Sequence, residues 1–280
     1  MLPFSEQIAA ILEYALVFAG IAYLCWLMFS PGGRALRLRA PALAPWDLDP
    51  ARLFAMAWLV LVVGLLGPAA VPMVFGAGLR ARPEGQTLEM VVSGSMLPVG
   101  VILASLLVRV FRRRWLQGAY DSDRRPSFGA SLRGGFLTFL AVLPIVSAVS
   151  VGWIWLLERV GLPTANQELV TFFAEAQSPL LIGTMTTLAL VVAPIGEELV
   201  FRAGIFRYLR TRLPRWLAFT ISGGVFAALH LNWVSFLPLF VLGVIFAIAY
   251  ERTGRISVAM LAHALFNLNT LLIVLSHAPV

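Results

Sequence analysis

Eight long apolar runs constrain this chain more than any other feature of its sequence. They cover about residues 8–29, 53–79, 90–111, 135–157, 179–202, 216–232, 233–250 and 256–275. A helix needs about 20 mostly apolar residues to cross the roughly 30 Å of hydrocarbon in a bilayer. The sequence therefore predicts an all-α fold, a polytopic transmembrane bundle of about eight helices.

The balance of apolar and charged residues excludes a water-soluble monomer. Of the 280 residues, 60% are apolar and 12% are charged, whereas soluble domains have roughly 45–50% and about 25%. With half the usual charge, a folded chain of this size cannot cover its surface with polar groups. The lipid bilayer is therefore the expected surrounding. The arginines are scattered among apolar runs, a pattern that does not indicate a nucleic-acid partner.

The basic residues predict how the helices face the two sides of the membrane. All 21 are arginine, and cytoplasmic loops are enriched in such residues. With the amino terminus outside, only Arg80, Arg82 and Arg159 fall in outside loops. We therefore expect both termini on the non-cytoplasmic side. The absence of lysine favours a GC-rich genome, so the expected location is the inner (cytoplasmic) membrane of a bacterium.

A polar stretch divides the chain into two parts. Residues 117–134 form the longest such stretch and are predicted to be a cytoplasmic loop between the first three helices and the other five. We accordingly treat residues 1–134 as amino-terminal transmembrane helices of unassigned role. Residues 135–280 form the expected catalytic core, because they contain the motifs described below.

Two further features predict where helices end within the apolar runs. Helix-breaking residues lie in the second run, namely Gly64, Gly67, Pro68 and Pro72. Proline removes a backbone donor and clashes with the preceding turn, so a kink or break is expected there. The sixth and seventh runs are short and almost continuous, and we expect them to divide around Asn232.

Ionisable side chains inside apolar runs are the strongest sign of function, because each costs at least a few kcal/mol at the centre of a bilayer. Most acidic residues lie in loops or near the ends of runs. Glu197 and Glu198 instead lie within a run, as do His230 and His263. The deepest polar groups therefore all fall in the last third of the chain.

Helical spacing sorts these groups into pairs. Glu198 and Arg202 are four residues apart, so they share a helix face and can form a buried ion pair. Glu197 is rotated by about 100° from Glu198 on a helix and lacks that partner, which makes it available for proton transfer. The same spacing joins two further pairs, Phe226 with His230 and His263 with Asn267.

Each of these pairs has a structural explanation when taken alone. A single histidine at a helix interface usually packs there, and a Glu–Arg pair is commonly structural. An intramembrane asparagine such as Asn267 commonly joins helices, and we expect Asn269 to do so. Two carboxylates, two histidines and an amide on three different helices, however, form a constellation suited to acid–base catalysis.

Three motifs in these helices resemble those of a known family. EELVFR (197–202), FAALH (226–230) and HALFN (263–267) match, in order, the EExxxR, FxxxH and HxxxN signatures of the CPBP family of intramembrane endopeptidases. That family includes the eukaryotic CAAX prenyl proteases and bacterial bacteriocin-processing and self-immunity proteins. The resemblance covers roughly residues 180–275. It implies a helical membrane protease that acts on a membrane-embedded or membrane-anchored protein or peptide.

The resemblance also implies roles for individual residues. The first glutamate and the first histidine of the motifs, Glu197 and His230, would activate a water molecule. The second histidine and the asparagine, His263 and Asn267, would stabilise the oxyanion. The other motif residues would hold the site in shape; these are Glu198, Arg202 and Phe226. These roles agree with the helical spacing.

Several alternatives stay open at this point. Glu197, His230 and His263 are also the ligand types of a zinc site with a bound water, although the HExxH spacing of common zinc proteases is absent. Without zinc, no cofactor is expected. A carrier that relays protons and a non-catalytic immunity protein are further candidates. The sequence leaves the oligomeric state and the substrate open. Candidate substrates are a peptide, a lipidated protein and the C-terminal sorting tail of a secreted protein.

Overall fold

The computed structural model describes residues 4–39, 41, 43, 50–115, 127–162, 164, 173 and 176–276. Within these residues every regular element is a helix, which confirms the all-α prediction. The helices are α1 (Phe4–Phe29), α2 (Pro31–Leu38), α3 (Pro50–Arg80), α4 (Gly85–Gly94), α5 (Met96–Trp115), α6 (Phe128–Arg159), α7 (Pro179–Arg210), α8 (Arg215–Ala228), α9 (Trp233–Thr253) and α10 (Ile256–Ser276).

Seven helical stretches in the described residues are long and apolar enough to cross a membrane. Each corresponds to a predicted run, so the chain is an integral, multi-pass membrane protein. The remaining predicted run, 216–232, contains α8, which has only 14 residues. At 1.5 Å per residue, α8 is about 21 Å long, which is shorter than the roughly 30 Å of hydrocarbon. It packs against α9 as the short arm of a helical hairpin.

No break occurs in the second apolar run, where a kink or break is predicted, and the third run is broken instead. α3 continues through Pro68 and Pro72, since membrane helices tolerate proline by local adjustment of the freed carbonyls. The third run divides at Ser95 into α4 and α5. There the Ser95 hydroxyl donates to the carbonyl oxygen of Val92 at 2.7 Å, a local bond that competes with helix continuation.

The predicted division of the sixth and seventh runs is confirmed. Asn232 caps the start of α9, because its Oδ1 accepts a hydrogen bond from the backbone N–H of Ser235 at 2.9 Å. Leu231 has a φ of 51°, so the chain reverses its direction there.

The predicted loop at 117–134 is partly wrong. α6 already begins at Phe128, so residues 128–134 extend the fourth transmembrane helix by almost two turns. No proline interrupts this segment, and the helix continues into its apolar part. Residues 117–126 lie outside the described part of the chain.

The helix α6 lies at the centre of the bundle, where it packs against α1, α9 and α10. Gly20 permits the close approach of α1, because a Cβ at this position would lie 2.1 Å from the carbonyl oxygen of Leu140. α1 is also joined to α10, since Nδ2 of Asn269 donates to Oε2 of Glu13 at 2.6 Å. This bond confirms the expectation that Asn269 joins helices.

Arginines gather at one end of the bundle. Glu251, near the end of α9, is 1% exposed and accepts hydrogen bonds from Arg210 at 2.6 Å and from Arg215 at 2.8 Å. Arg252 donates to the carbonyl oxygen of Arg39 at 2.6 Å. The basic ends of α2, α7 and α9 therefore lie on the same side. Glu251 forms ion pairs with two of these arginines, a role that the sequence pattern did not indicate.

Candidate active site

Two π-helical segments flank the paired glutamates in α7. The α-helical piece Ala193–Glu198 lies between the π segments Leu188–Val192 and Leu199–Phe206. Such segments are rare and frequently occur at functional sites. Pro194 is a sequence signal for this irregularity, because it cannot donate to the carbonyl of the preceding turn.

Glu198 contacts two cationic or protonatable groups at once. Its Oε1 atom lies 3.1 Å from Nη1 of Arg202 and 3.1 Å from Nδ1 of His263. The side chains of Glu198 and Arg202 are fully buried. The ion pair expected from the spacing is therefore present. The contact with His263 lies between two helices, so spacing within one helix could not indicate it.

Glu197 faces the other nitrogen of the same imidazole ring. Its Oε2 atom lies 3.8 Å from Nε2 of His263, and 27% of the Glu197 side chain is exposed. This Oε2 atom is itself buried and has no hydrogen-bond partner within the described residues. A buried acceptor without a partner is costly, so the oxygen is suited to bind a water molecule or a substrate group.

Phe226 is the aromatic centre of the site. Its fully buried ring lies 4.8 Å from the His230 ring and 6.1 Å from the His263 ring, measured between centroids. The guanidinium of Arg202 lies 4.3 Å from the centroid of the Phe226 ring, which is a cation–π contact. Phe226 thus connects the helices that contain the three motifs.

Arg202 is also held by α9. Its Nη2 atom donates to the carbonyl oxygen of Gly243 at 3.3 Å, and its guanidinium lies 5.4 Å from the centroid of the Phe246 ring. A Cβ at Gly243 would lie 3.1 Å from Cα of Gly223 on α8. Glycine at this position therefore lets α8 and α9 approach each other beside the buried arginine.

His230 lies in the turn after α8, not inside a helix as the apolar run suggested. Its Nδ1 atom is 2.8 Å from the carbonyl oxygen of Phe226. Because a carbonyl oxygen can only accept, Nδ1 has the proton and Nε2 of the neutral ring has a lone pair. That lone pair can accept a hydrogen bond from a water molecule and orient it.

Asn267 holds the first π segment of α7. Its Nδ2 atom donates to the carbonyl oxygen of Ala189 at 2.8 Å. The sequence indicated Asn267 as a donor within the site but gave no sign of this backbone partner. An amide nitrogen has two hydrogens, so the second one can still serve an acceptor in the site.

The side chains considered as zinc ligands do not form a metal site in this geometry. Within the described part of the chain, no group of three or more His, Cys, Asp or Glu side chains is arranged to hold a metal ion. His230 uses Nδ1 for the carbonyl of Phe226 and His263 uses Nδ1 for Glu198, so Nε2 is the available nitrogen of each ring. The mechanism proposed below is written for the metal-free alternative.

The segment that contains the three motifs matches the model of a known protein family. Residues 179–269 match the family model described as type II CAAX prenyl endopeptidase Rce1-like. We call residues 179–269 the Rce1-like segment, after the family model that they match. The Rce1-like segment contains every site residue predicted from the sequence: Glu197, Glu198, Arg202, Phe226, His230, His263 and Asn267.

Several bacterial proteins are similar to this chain. The protein named membrane peptidase YdiL of Bacillus subtilis is 24% identical over 214 residues, which are 75% of this chain and 83% of YdiL. The membrane-embedded CAAX protease MroQ of Staphylococcus aureus is 39% identical over 84 residues, 28% of this chain and 34% of MroQ. The UPF0177 protein YbdI of Lactococcus lactis is 34% identical over 87 residues, 30% of this chain and 46% of YbdI. No solved structure matches the chain significantly.

Proposed function

We propose that this protein is an intramembrane endopeptidase that hydrolyses a peptide bond with a water molecule activated by Glu197 and His230. One observation carries the proposal. Glu198 is fully buried and its Oε1 contacts both Arg202 and His263, whereas the neighbouring Glu197 is 27% exposed and its Oε2 has no hydrogen-bond partner among the described residues. The Rce1-like match and the names of the relatives YdiL and MroQ support the same type of reaction.

Water is the proposed nucleophile, since no serine or cysteine stands beside a base in the three motifs. Glu197 removes one proton from the water, while Nε2 of His230 accepts a hydrogen bond from the other. The water oxygen then bonds to the carbonyl carbon of the scissile peptide, and the carbonyl oxygen becomes an oxyanion. Glu197 returns the proton to the amide nitrogen, the C–N bond breaks, and an acid and an amine leave.

The buried charges favour His263 as a donor to this oxyanion. Glu197 and Glu198 together bring two negative charges and Arg202 brings one positive charge. A hydrogen-bond donor beside the two carboxylates is therefore favourable, because uncompensated charge in a membrane interior is expensive. Because Nδ1 of His263 faces Glu198, its Nε2–H is the group that donates to the oxyanion.

Asn267 supplies the second proposed donor through its free amide hydrogen. A single donor to an oxyanion typically lowers the barrier by about 3–4 kcal/mol. The bond from Asn267 to the Ala189 carbonyl holds the amide in place before the oxyanion forms. The site then needs no reorganisation when charge develops.

The location of the site defines the substrate class that we propose. The glutamates and His263 lie in helices that are long and apolar enough to cross a membrane, so the substrate is a membrane-embedded or membrane-anchored protein or peptide. A lipidated or C-terminally anchored protein fits this requirement. We place the enzyme in the inner membrane of a bacterium, with both termini on the non-cytoplasmic side, from the distribution of its arginines.

Quantitative proteomics of protein termini tests the proposal. Cells expressing the wild type, Glu197→Gln, or the control Glu158→Gln are compared at equal levels of the membrane protein. Glu158 is exposed at the end of α6, so its substitution should change nothing. We expect new protein termini in cells with the wild type or Glu158→Gln. The abundance of these termini should be about 10²–10⁴-fold lower with Glu197→Gln. Identical termini in all three strains would favour a non-catalytic immunity or transport role.

A further inference from the structure

The helices α4 and α5, which lie outside the Rce1-like segment, run alongside α7. At the start of α7, the carboxylate of Glu84 accepts hydrogen bonds from the backbone N–H groups of Gln177 at 3.0 Å and Ser178 at 2.8 Å. Ser178 is the N-cap of α7. Glu84 has a φ of 53°, an uncommon conformation for a residue other than glycine.

The contact continues one turn further along both segments. Leu88 of α4 is 2% exposed and lies in a cluster of buried residues with Leu181 and Met185 of α7. The α3–α4 turn that presents Glu84 is itself closed by Arg80, which donates to the two carboxylate oxygens of Glu89 at 2.5 and 2.8 Å. The α3–α4 turn and α4 are therefore held against the first half of α7 by hydrogen bonds and apolar contacts.

The closest approach lies immediately before the proposed catalytic glutamate. A Cβ at Gly196 would lie 2.6 Å from Cβ of Pro98, 2.9 Å from its Cα and 3.1 Å from its carbonyl oxygen. Distances below 3.0 Å essentially do not occur between a real Cβ and its neighbours. Only glycine at 196 lets the backbone of α5 lie against α7, and the next residue in the chain is Glu197.

We propose that α4 and α5 form a wall that positions Glu197, with Gly196 and Pro98 as positioning residues for its backbone. The inference rests on the proposed function. It assigns a role to a part of the chain that neither the motifs nor the family match covers. Glu197 needs such support, because no hydrogen bond within the described residues holds its Oε2. A π segment also begins two residues later, at Leu199.

The expected consequence of a displaced wall is a loss of rate more than a loss of binding. A misplacement of about 1 Å in a reacting group can cost about 10²-fold in rate. A methyl group at Gly196 must push α5 and α7 apart by a few tenths of an ångström or more, because two of the three nearest atoms belong to the backbone. The substrate does not need to contact Pro98 for this effect to occur.

A pair of glycine substitutions on the same helix tests the wall. Gly196→Ala introduces the clash, whereas Gly183→Ala adds the same methyl group where no atom lies within 4 Å. The substrate is a protein whose terminus depends on Glu197 in the proteomic comparison, purified and cleaved by enzyme in detergent. We expect kcat to fall at least tenfold for Gly196→Ala with little change in KM, and no change for Gly183→Ala. Pro98→Gly combined with Gly196→Ala should recover part of kcat, because the contact at 2.6 Å is removed.

A crosslink measures the same contact without any cleavage. Cysteines replace Pro98 and Gly196 in full-length protein that has Cys25→Ser, and an oxidant is added to the membranes. The Cβ atoms of a disulfide lie about 3.5–4.5 Å apart, so a small shift suffices. We expect a disulfide for this pair and none for the control pair at 98 and 183.

The outcomes separate the wall from the proposed function. Wild type and Glu197→Gln with identical termini would refute the peptidase proposal, and the crosslink would still decide whether the wall exists. A wild type that cleaves, together with Gly196→Ala of unchanged kcat, overturns the positioning role. Absence of the 98–196 disulfide in a folded protein overturns the contact itself. If Gly196→Ala is unfolded, the Pro98→Gly variant alone must lower kcat, and an unchanged kcat also overturns the inference.

Discussion

Nδ1 of His263 lies 3.1 Å from Oε1 of Glu198, and this contact determines which nitrogen of the ring faces the proposed catalytic glutamate. The same carboxylate oxygen also lies 3.1 Å from Nη1 of Arg202. One buried oxygen therefore connects the structural ion pair within α7 to the imidazole of His263 on α10, which we propose as an oxyanion donor. The second glutamate of the EExxxR motif supports the fold and orients His263 at the same time.

Arg202→Met separates these two roles of Glu198. Removing one partner of a buried ion pair costs about 3–5 kcal/mol, whereas removing both is often almost neutral. We expect Arg202→Met to lower the stability strongly, and Glu198→Gln combined with Arg202→Met to recover part of it. The double variant should not regain cleavage, because the carboxylate beside His263 is still missing. Thermal unfolding in detergent and substrate cleavage measure the two effects.

The control for this pair is Arg212→Met, since Arg212 is exposed at the end of the bundle. Surface substitutions of this kind usually change the stability by no more than about 0.5 kcal/mol. If the double variant is as unstable as Arg202→Met alone, the pair is not the main contact of the buried guanidinium.

Two neighbouring asparagines on α10 are predicted to differ in their effects. Asn267→Leu removes a proposed donor to the oxyanion, so kcat should fall by about 10²–10³-fold. Asn269→Leu removes the bond to Glu13 that joins α1 to α10, so stability should fall by about 1–3 kcal/mol with kcat retained in the folded fraction. Kinetics on purified, monodisperse protein distinguish the two. Equal loss of kcat in both variants would argue that Asn267 is structural as well.

Glu251→Gln should destabilise the protein less than Arg202→Met. Arg210 and Arg215 are 34% and 42% exposed, so water can solvate their guanidinium groups once the Glu251 charge is removed. Hydrogen bonds between charged groups contribute about 1.5–3 kcal/mol, which sets the upper range of the expected loss in unfolding free energy. Cleavage per folded molecule should be unchanged. A loss of cleavage without a loss of stability would link this cluster to the site.

The sequence predicts contacts within one helix better than contacts between helices. The pair Glu198–Arg202 follows from residue spacing, and it survives the π segment that begins at Leu199 because four residues still complete about one turn. The contact of Glu198 with His263 depends on how α7 and α10 are rotated about their axes. Both helices are apolar on every face, so their sequences do not indicate that rotation. The bond from Asn267 to the Ala189 carbonyl depends in addition on the π segment.

Helix interruptions were predicted less well than helices. Pro68 and Pro72 remain inside α3, because tertiary contacts in a bundle can satisfy the carbonyls that proline frees. The actual break, at Ser95, is not at a proline. It lies three residues before Pro98, which contacts Gly196 of α7. The division at Asn232 was correct because a cap is local chemistry: an asparagine side chain replaces a missing backbone acceptor.

Cleavage should be insensitive to a membrane-permeant zinc chelator. In the alternative hypothesis, Glu197, His230 and His263 bind zinc together. In the structure, however, no group of three or more His, Cys, Asp or Glu side chains among the described residues is arranged to hold a metal ion. A His₂Glu zinc protease in the same membranes serves as the positive control for the chelator. Loss of cleavage that added zinc restores would overturn the metal-free mechanism in favour of the zinc alternative.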